Sequence, residues 1–237
     1  MSPLEINESY ISSLDDIDKI ELKSVTLQDA VYEKILTSII MGRIPPGSRI
    51  TIDQFAKQFN VSRMPVREAL RKLESTKLIS VGGNRRIITT KLSTKDLKQI
   101  LEIRLLLECN AAEKASQLRS ESAIEALEKT HKQYTRANTI EEFILANWQF
   151  HYIIYHEANM LILMDILDIL WGRVSPYFAL IYKKIAEGSL TKEKNIRLHE
   201  GIFLGMKNKD KEAVIKYLRR DLIYTAEEIA KIISSEK

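Results

Sequence analysis

From Ser93 onward the chain runs for 145 residues with one proline, Pro176, and four glycines, while apolar residues recur every three or four positions. Strands would need alternation and frequent turn residues. This spacing instead puts apolar side chains along one side of successive helices. Six helices are expected. Ser93 or Thr94 opens the first, which carries Leu97, Leu101, Arg104, Leu105, Glu108 and Ala112 and ends near residue 118. The others run over approximately 120–137, 139–158, 160–186, 190–207 and 210–234. Their connections are only a few residues long, which makes neighbours antiparallel. Pro176 lies inside the fourth helix and should kink it near Arg173, because an interior proline removes a backbone hydrogen bond.

The preceding segment is punctuated differently. Residues 27–41 carry Val31, Ile35, Ile39 and Ile40 at helical intervals until Gly42 and Pro45-Pro46-Gly47 stop them. A short second helix fits residues 51–59, and Asn60 can take the left-handed conformation that turns the chain. A third helix starts at Ser62, a good N-cap, with Pro65 in the first turn where its missing N–H costs nothing. Val66, Leu70 and Leu73 form its buried stripe, while Arg63, Arg67 and Arg71 recur at i, i+4 and i+8 on another face. After Leu78, two short β-rich runs flank Gly82-Gly83-Asn84, with Arg85 and Arg86 at or just past the tip. The expected architecture is mainly α, a winged helix-turn-helix followed by an antiparallel six-helix bundle. Residues 1–24 form an arm or hold a short helix around Ile11–Ile20, residues 25–92 the winged part and residues 93–237 the bundle.

An arginine-bearing helix face on its own usually reads as solvated surface. Charge distribution changes that reading. Residues 1–24 carry net −4, residues 25–91 net +7 and residues 92–237 net +1, so the overall +4 conceals one basic module. That is the electrostatic footprint of a nucleic-acid-binding domain attached to something else. The single cysteine, Cys109, excludes an intramolecular disulfide and any multi-cysteine zinc site, and its place in a helical pattern makes it a small buried hydrophobe. No apolar run approaches a membrane span and the N-terminus is acidic and polar, so a cytoplasmic location is expected.

The order of helix, Gly-Arg-x-x-Pro-Gly, helix, Val-Ser-Arg-x-Pro-Val-Arg-Glu-Ala-Leu and wing resembles the GntR family of bacterial transcription regulators over residues 27–93. In such proteins the two arginines of the motif, here Arg63 and Arg67, sit at the start of the recognition helix and touch base edges and phosphates in the major groove, which the resemblance implies for this chain. The capped basic face adds Ser62, Pro65 and Arg71 as candidate DNA-binding residues, and the wing adds Arg85 and Arg86. Arginine suits the role because its planar fork can bond guanine O6 and N7 together. The glycines of the wing, Gly82 and Gly83, come earlier than the family's usual turn.

Residues 93–237 resemble the FCD (FadR C-terminal) domain of one large GntR subfamily. Its marks are Ile-Arg-Leu-Leu-Leu-Glu at 103–108, Asn-Trp-Gln-Phe-His at 147–151, Asn159, His199-Glu200 and Leu-Arg-Arg-Asp-Leu at 218–222. Six helices rather than seven suggest the VanR-like branch. The resemblance implies a homodimer that binds an operator of two-fold symmetry, a small organic acid held in the bundle, and in many members a metal on one Asp and three His. Carried onto this chain, His151 and His199 match two of the histidines, Asn147 stands where the aspartate is usual, and Asp221 stands where the third histidine is usual. An amide oxygen is a weak ligand, but two imidazoles and a carboxylate can still hold Zn²⁺ or a similar divalent ion. Without metal, the same four residues read as buried polar groups bonded to one another. Arg104 is the candidate for an effector carboxylate, and an i, i+4 ion pair with Glu108 is its competing role. The expected function is a ligand-responsive repressor. The competing class is a metal-dependent hydrolase with an appended DNA-binding domain, but no further general base, phosphate-cradling glycine loop or nucleophile elbow stands out.

Overall fold

The computed structural model describes residues 26–82 and 86–235, which divide into two compact units between Lys91 and Leu92. Residues 1–24 and Arg85 lie outside the described residues.

The first unit opens with α1 (Leu27–Ile40), capped by Thr26, whose hydroxyl accepts from Asp29 N at 3.2 Å. Gly42 ends the turn that follows at φ 69°, in the left-handed region that a side chain would disfavour. A two-residue strand, β1 (Arg49–Ile50), leads to α2 (Ile52–Phe59), capped by Thr51. Asn60 then adopts φ 52°, ψ 48°, as its position predicts, and α3 (Arg63–Ser75) follows. The wing is β2 (Ile79–Gly82) and β3 (Arg86–Thr89), antiparallel with Ile79 opposite Thr89. β3 lies centrally because β1 pairs along its other edge, Arg49 opposite Ile88. The core joins Val31, Ile35 and Ile39 of α1 to Val66, Ala69, Leu70 and Leu73 of α3, with Phe55 from α2 and Ile79 and Ile87 from the sheet. Complete burial of Ile35, Val66 and Leu73 contributes about 1.5–3 kcal/mol each.

The second unit is all helix: α4 (Thr94–Leu118), α5 (Glu121–Arg136), α6 (Ile140–His156), α7 (Leu161–Val174), α8 (Pro176–Ala186), α9 (Glu193–Asn208) and α10 (Lys211–Ser235). Ser93 and Asp96 close a reciprocal capping box at the start of α4. The described residues thus hold seven helices here, where six are expected from the sequence. Pro176 divides the predicted 160–186 helix rather than kinking it. Its nitrogen cannot bond to the Gly172 carbonyl, which instead accepts from the Ser175 hydroxyl at 3.3 Å. Ser175 keeps φ −57°, ψ −34°, and the Trp171 and Phe178 rings stack across the break with centroids 5.5 Å apart. Helix count therefore gives no ground for choosing a branch within the subfamily.

α10 packs against both α4 and α9, and α6 against α4 and α5. The α9–α10 approach depends on two glycines one turn apart. A Cβ on Gly201 would stand 2.5 Å from the Tyr217 ring, and one on Gly205 would stand 2.9 Å from the backbone nitrogen of Val214. These bare positions let α10 lie close enough to bring Asp221 beside His199. Cys109 is buried, as its helical setting predicts.

Candidate nucleic-acid interface and metal centre

In the first unit the apolar stripe of α3 is enclosed and its arginines are not. Arg63, Arg67 and Arg71 are all exposed. Arg63 reaches back to Asp53 of α2, with Nε 2.7 Å from Oδ1, and Arg71 pairs with Glu68 at 2.8 Å. Arg67 makes no side-chain bond among the described residues. Exposed pairs such as these contribute between nothing and about 1 kcal/mol, so a phosphate or a base edge can replace either carboxylate. Ser62 occupies the N-cap position at φ −67°, ψ 166°, but its hydroxyl makes no capping bond, contrary to the expected cap. Pro65 is half-buried in the first turn, and Arg86 is exposed at the start of β3.

In the second unit, three helices converge on a buried cluster. His151 comes from α6, His199 from α9 and Asp221 from α10, and one ligand atom from each lies within 4.8 Å of the others. His151 Nε2 is 3.3 Å from Asp221 Oδ2, and His199 Nε2 is 3.7 Å from Asp221 Oδ1. Ligands about 2.0–2.1 Å from a tetrahedral Zn²⁺ stand roughly 3.3–3.5 Å apart, close to these separations.

The surroundings of His199 provide a test of that fit. Its ring lies between Phe150, stacked at 4.4 Å, and Tyr134 at 4.6 Å. It is wholly buried, and neither ring nitrogen has a hydrogen-bond partner among the described residues. A cation beside Asp221 would satisfy the orphaned Nε2, which is otherwise costly to bury; the orphaned Nδ1 lies on the other side of the ring and is not reached by it. Burial lowers the His199 pKa and outweighs the opposing pull of Asp221, which favours the neutral imidazole that a metal requires. Burial pushes the Asp221 carboxyl up, but the facing His199 and His151 prevail and hold it well below the usual carboxylate range. The residues present therefore fit a divalent cation.

Asn147 is buried one turn before His151 but makes no side-chain hydrogen bond among the described residues. It lines a narrow adjoining cleft with Tyr134, Asn195, Tyr224, Thr225 and Glu228, whose free interior of about 10 Å³ has room for about one water molecule. No lysine or arginine lines this cleft, and Arg104 is not part of it. Arg104 has instead the competing role read from the sequence. It is buried, bonded through Nε and Nη2 to the two oxygens of Glu108, and its guanidinium lies 5.0 Å from the Trp171 ring centre.

Sequence reasoning missed the supporting groups. Tyr155 accepts or donates at His151 Nδ1 across 3.1 Å, and Asn195 donates to Asp221 Oδ1 at 3.2 Å and to Thr225 at 3.4 Å. Each stands one helical turn from a member of the cluster: Tyr155 four residues after His151, Asn195 four before His199, Thr225 four after Asp221. That spacing is the signal that could have found them.

Comparison with known proteins accounts for both units. Residues 99–223 match the FCD domain, and residues 27–88 match the description "Bacterial regulatory proteins, gntR family". The HTH-type transcriptional regulator McbR of Escherichia coli strain K12 is 29% identical over 196 residues, which span 81% of this chain and 87% of McbR. The HTH-type transcriptional repressor RspR of the same strain is 25% identical, over 85% of this chain and 88% of RspR. A solved structure of E. coli McbR/YncC superposes with a TM-score of 0.75 at 27% identity, covering 90% of this chain and 99% of that one. These matches give the hydrolase alternative no support. No helix among the described residues is long and apolar enough to cross a membrane. With a winged motif and an FCD domain matched in this order, the chain belongs to the GntR family of bacterial transcription regulators, in the group that carries an FCD domain.

Proposed function

We propose that this regulator is a repressor that binds a two-fold symmetric operator as a homodimer and changes its grip on DNA when a small metabolite enters the helical unit. The observation that carries the DNA reading is Arg67, exposed and unpartnered among the described residues on a helix whose other face is fully packed. Ser62, Arg63, Pro65, Arg71 and the wing arginines Arg85 and Arg86 complete the contact surface, with Arg67 reading base edges. One α3 serves one half-site, so a symmetric operator requires two copies. A second copy also answers the exposed apolar surface of the helical unit. Leu161 and Ile162 of α7 are 75% and 80% exposed, Ile166 and Ile169 continue that stripe, and Leu106 of the neighbouring α4 is 75% exposed. Large apolar side chains left in water on packed helices are characteristic of an interface.

His151, His199 and Asp221 hold a divalent cation, with Asn147 turned to the cleft. When bound, the cation supplies the positive charge on which the carboxylate of an organic-acid effector can rest, since the cleft lining offers no Lys or Arg. Effector binding shifts operator affinity by a coupling of about 1–3 kcal/mol, or roughly five- to 150-fold. Footprinting on DNA flanking the protein's own gene, repeated with candidate organic acids and with a chelator, tests the whole reading. A symmetric protected region whose occupancy changes with both additions is expected. Protection insensitive to both removes the metabolite and metal parts, and no protection of any fragment removes the repressor.

A further inference from the structure

A line of buried polar side chains runs from the cluster to α4. His151 Nδ1 lies 3.1 Å from the Tyr155 hydroxyl, that hydroxyl donates to Glu108 Oε2, and both Glu108 oxygens accept from Arg104. All four residues are buried. A guanidinium only donates, so Glu108 serves as the acceptor at this end. The Tyr155 hydroxyl has one proton and directs it to Glu108. What remains to it on the other side is a lone pair, so the hydrogen between Tyr155 and His151 belongs to Nδ1 of the imidazole. A neutral ring protonated there presents a lone pair at Nε2.

That lone pair points into crowded company. His151 Nε2 stands 3.3 Å from Asp221 Oδ2, and the same carboxylate faces His199 Nε2 at 3.7 Å, a nitrogen with no hydrogen-bond partner among the described residues. With its hydrogen on Nδ1, the bare His151 Nε2 and the carboxylate oxygen 3.3 Å away repel each other unless a positive charge lies between them.

We propose that Arg104, Glu108 and Tyr155 are positioning residues that hold His151 in its Nδ1–H form and so reserve Nε2 for a divalent cation shared with His199 and Asp221. The inference rests on reading that cluster as a metal centre. It assigns Arg104 a part in the site that requires no contact with an effector: the guanidinium fixes the carboxylate, the carboxylate fixes the hydroxyl, and the hydroxyl fixes the ring. Groups that orient a ligating histidine in this way typically change metal affinity by about 10–100-fold when removed.

The test uses the full chain labelled with ¹⁵N-histidine, Zn²⁺ as the probe and a chromophoric chelator as competitor. In the zinc-loaded wild type, the His151 ¹⁵N shifts should show hydrogen on Nδ1 and metal on Nε2. Tyr155→Phe should bind Zn²⁺ about 10–100-fold more weakly and lose the preference for Nδ1–H, while its metal-free helical content stays that of the wild type. Equal Zn²⁺ affinity in variant and wild type overturns the positioning role and leaves the metal centre standing. Failure of the wild type to bind Zn²⁺ overturns the metal centre itself. A neutral Nε2–H tautomer in the metal-free wild type overturns the proposal whether or not the variant folds.

Discussion

Each unit contains an arginine–glutamate pair within a single helix, and the two pairs behave as opposites. On α3, Arg71 and Glu68 are three residues apart with side chains 67% and 33% exposed. On α4, Arg104 and Glu108 are four apart and 6% and 0% exposed. The chemistry is the same, but water is present in one case and absent in the other. In water the pair is weak and exchangeable, which leaves Arg71 available to a phosphate. In the interior, neither charge can be released without stranding its partner, so the pair transmits geometry to Tyr155 and His151. The winged unit displays charge for an external polyanion, and the helical unit encloses charge around a small site.

The largest expected effect would break this comparison outright if it failed. Glu108→Ala strands the Arg104 guanidinium in the interior and should destabilise the helical unit by about 3–5 kcal/mol. Glu68→Ala should change the winged unit by less than about 1 kcal/mol. Urea unfolding of the full chain, followed by the fluorescence of Trp148 and Trp171, reports the helical unit because both tryptophans lie there. Amide exchange along α3 reports the other. Similar costs for the two substitutions would mean that burial does not separate the pairs.

Next in size is Gly205→Ala. The added methyl meets the backbone of Val214 at 2.9 Å, which cannot rotate away as a side-chain tip could. Displacing α10 should cost about 1–3 kcal/mol and, by moving Asp221 from His199, weaken Zn²⁺ binding as well. An equilibrium stability and chelator-competition curve unchanged from wild type would show that the close approach is not what sets the cluster.

The same contrast explains what was legible in the sequence. Apolar spacing and cap residues locate α1, α2, α3 and the start of α4, because local chemistry decides them: Thr51, Asn60 and the Ser93–Asp96 box each act within four residues. β1 went unread because two residues carry no period; it exists only because β3 offers an edge to Arg49 and Ile50. Pro176 announces an interruption, but whether it kinks or divides the helix depends on Ser175 reaching the Gly172 carbonyl and on Trp171 meeting Phe178. In the candidate site, the resemblance supplied His151, His199 and Asp221 from three separate helices. Helical spacing alone made Asn147 as good a neighbour of His151 as Tyr155, both being four residues away. The fold turned Asn147 to the cleft and Tyr155 to Glu108, a choice set by what α4 and α10 bring into contact.

On the winged surface, Arg67→Ala should weaken operator binding by about 1–3 kcal/mol and relax base choice at one position of each half-site. Its unfolding curve should match that of the wild type, since the side chain packs against nothing that the core requires. Binding curves on operator and random DNA at two salt concentrations separate the roles. A uniform loss on both DNAs would make Arg67 a phosphate contact, and no loss on either would remove it from the interface.

The smallest effect concerns an exception within the winged unit, a charge only half displayed. Glu33 on α1 is partly buried, and burial pushes its carboxyl from an ordinary 4.5 up to about 7, with Lys72 opposing and Asp29 assisting. The folded unit therefore keeps a proton that the unfolded chain gives up. Stability from this group is complete below about pH 4.5 and is lost as the pH rises toward about 7. Solvent screening limits the loss to on the order of 1 kcal/mol. Glu33→Gln cannot ionise and should flatten the dependence, leaving the variant more stable than wild type at pH 8 and nearly equal at pH 5. Protection of the Ile35 and Leu36 amides against hydrogen exchange, referred to intrinsic rates at each pH, measures this within α1. A parallel pH profile in the two proteins would show that water reaches Glu33 as freely as it reaches Glu68.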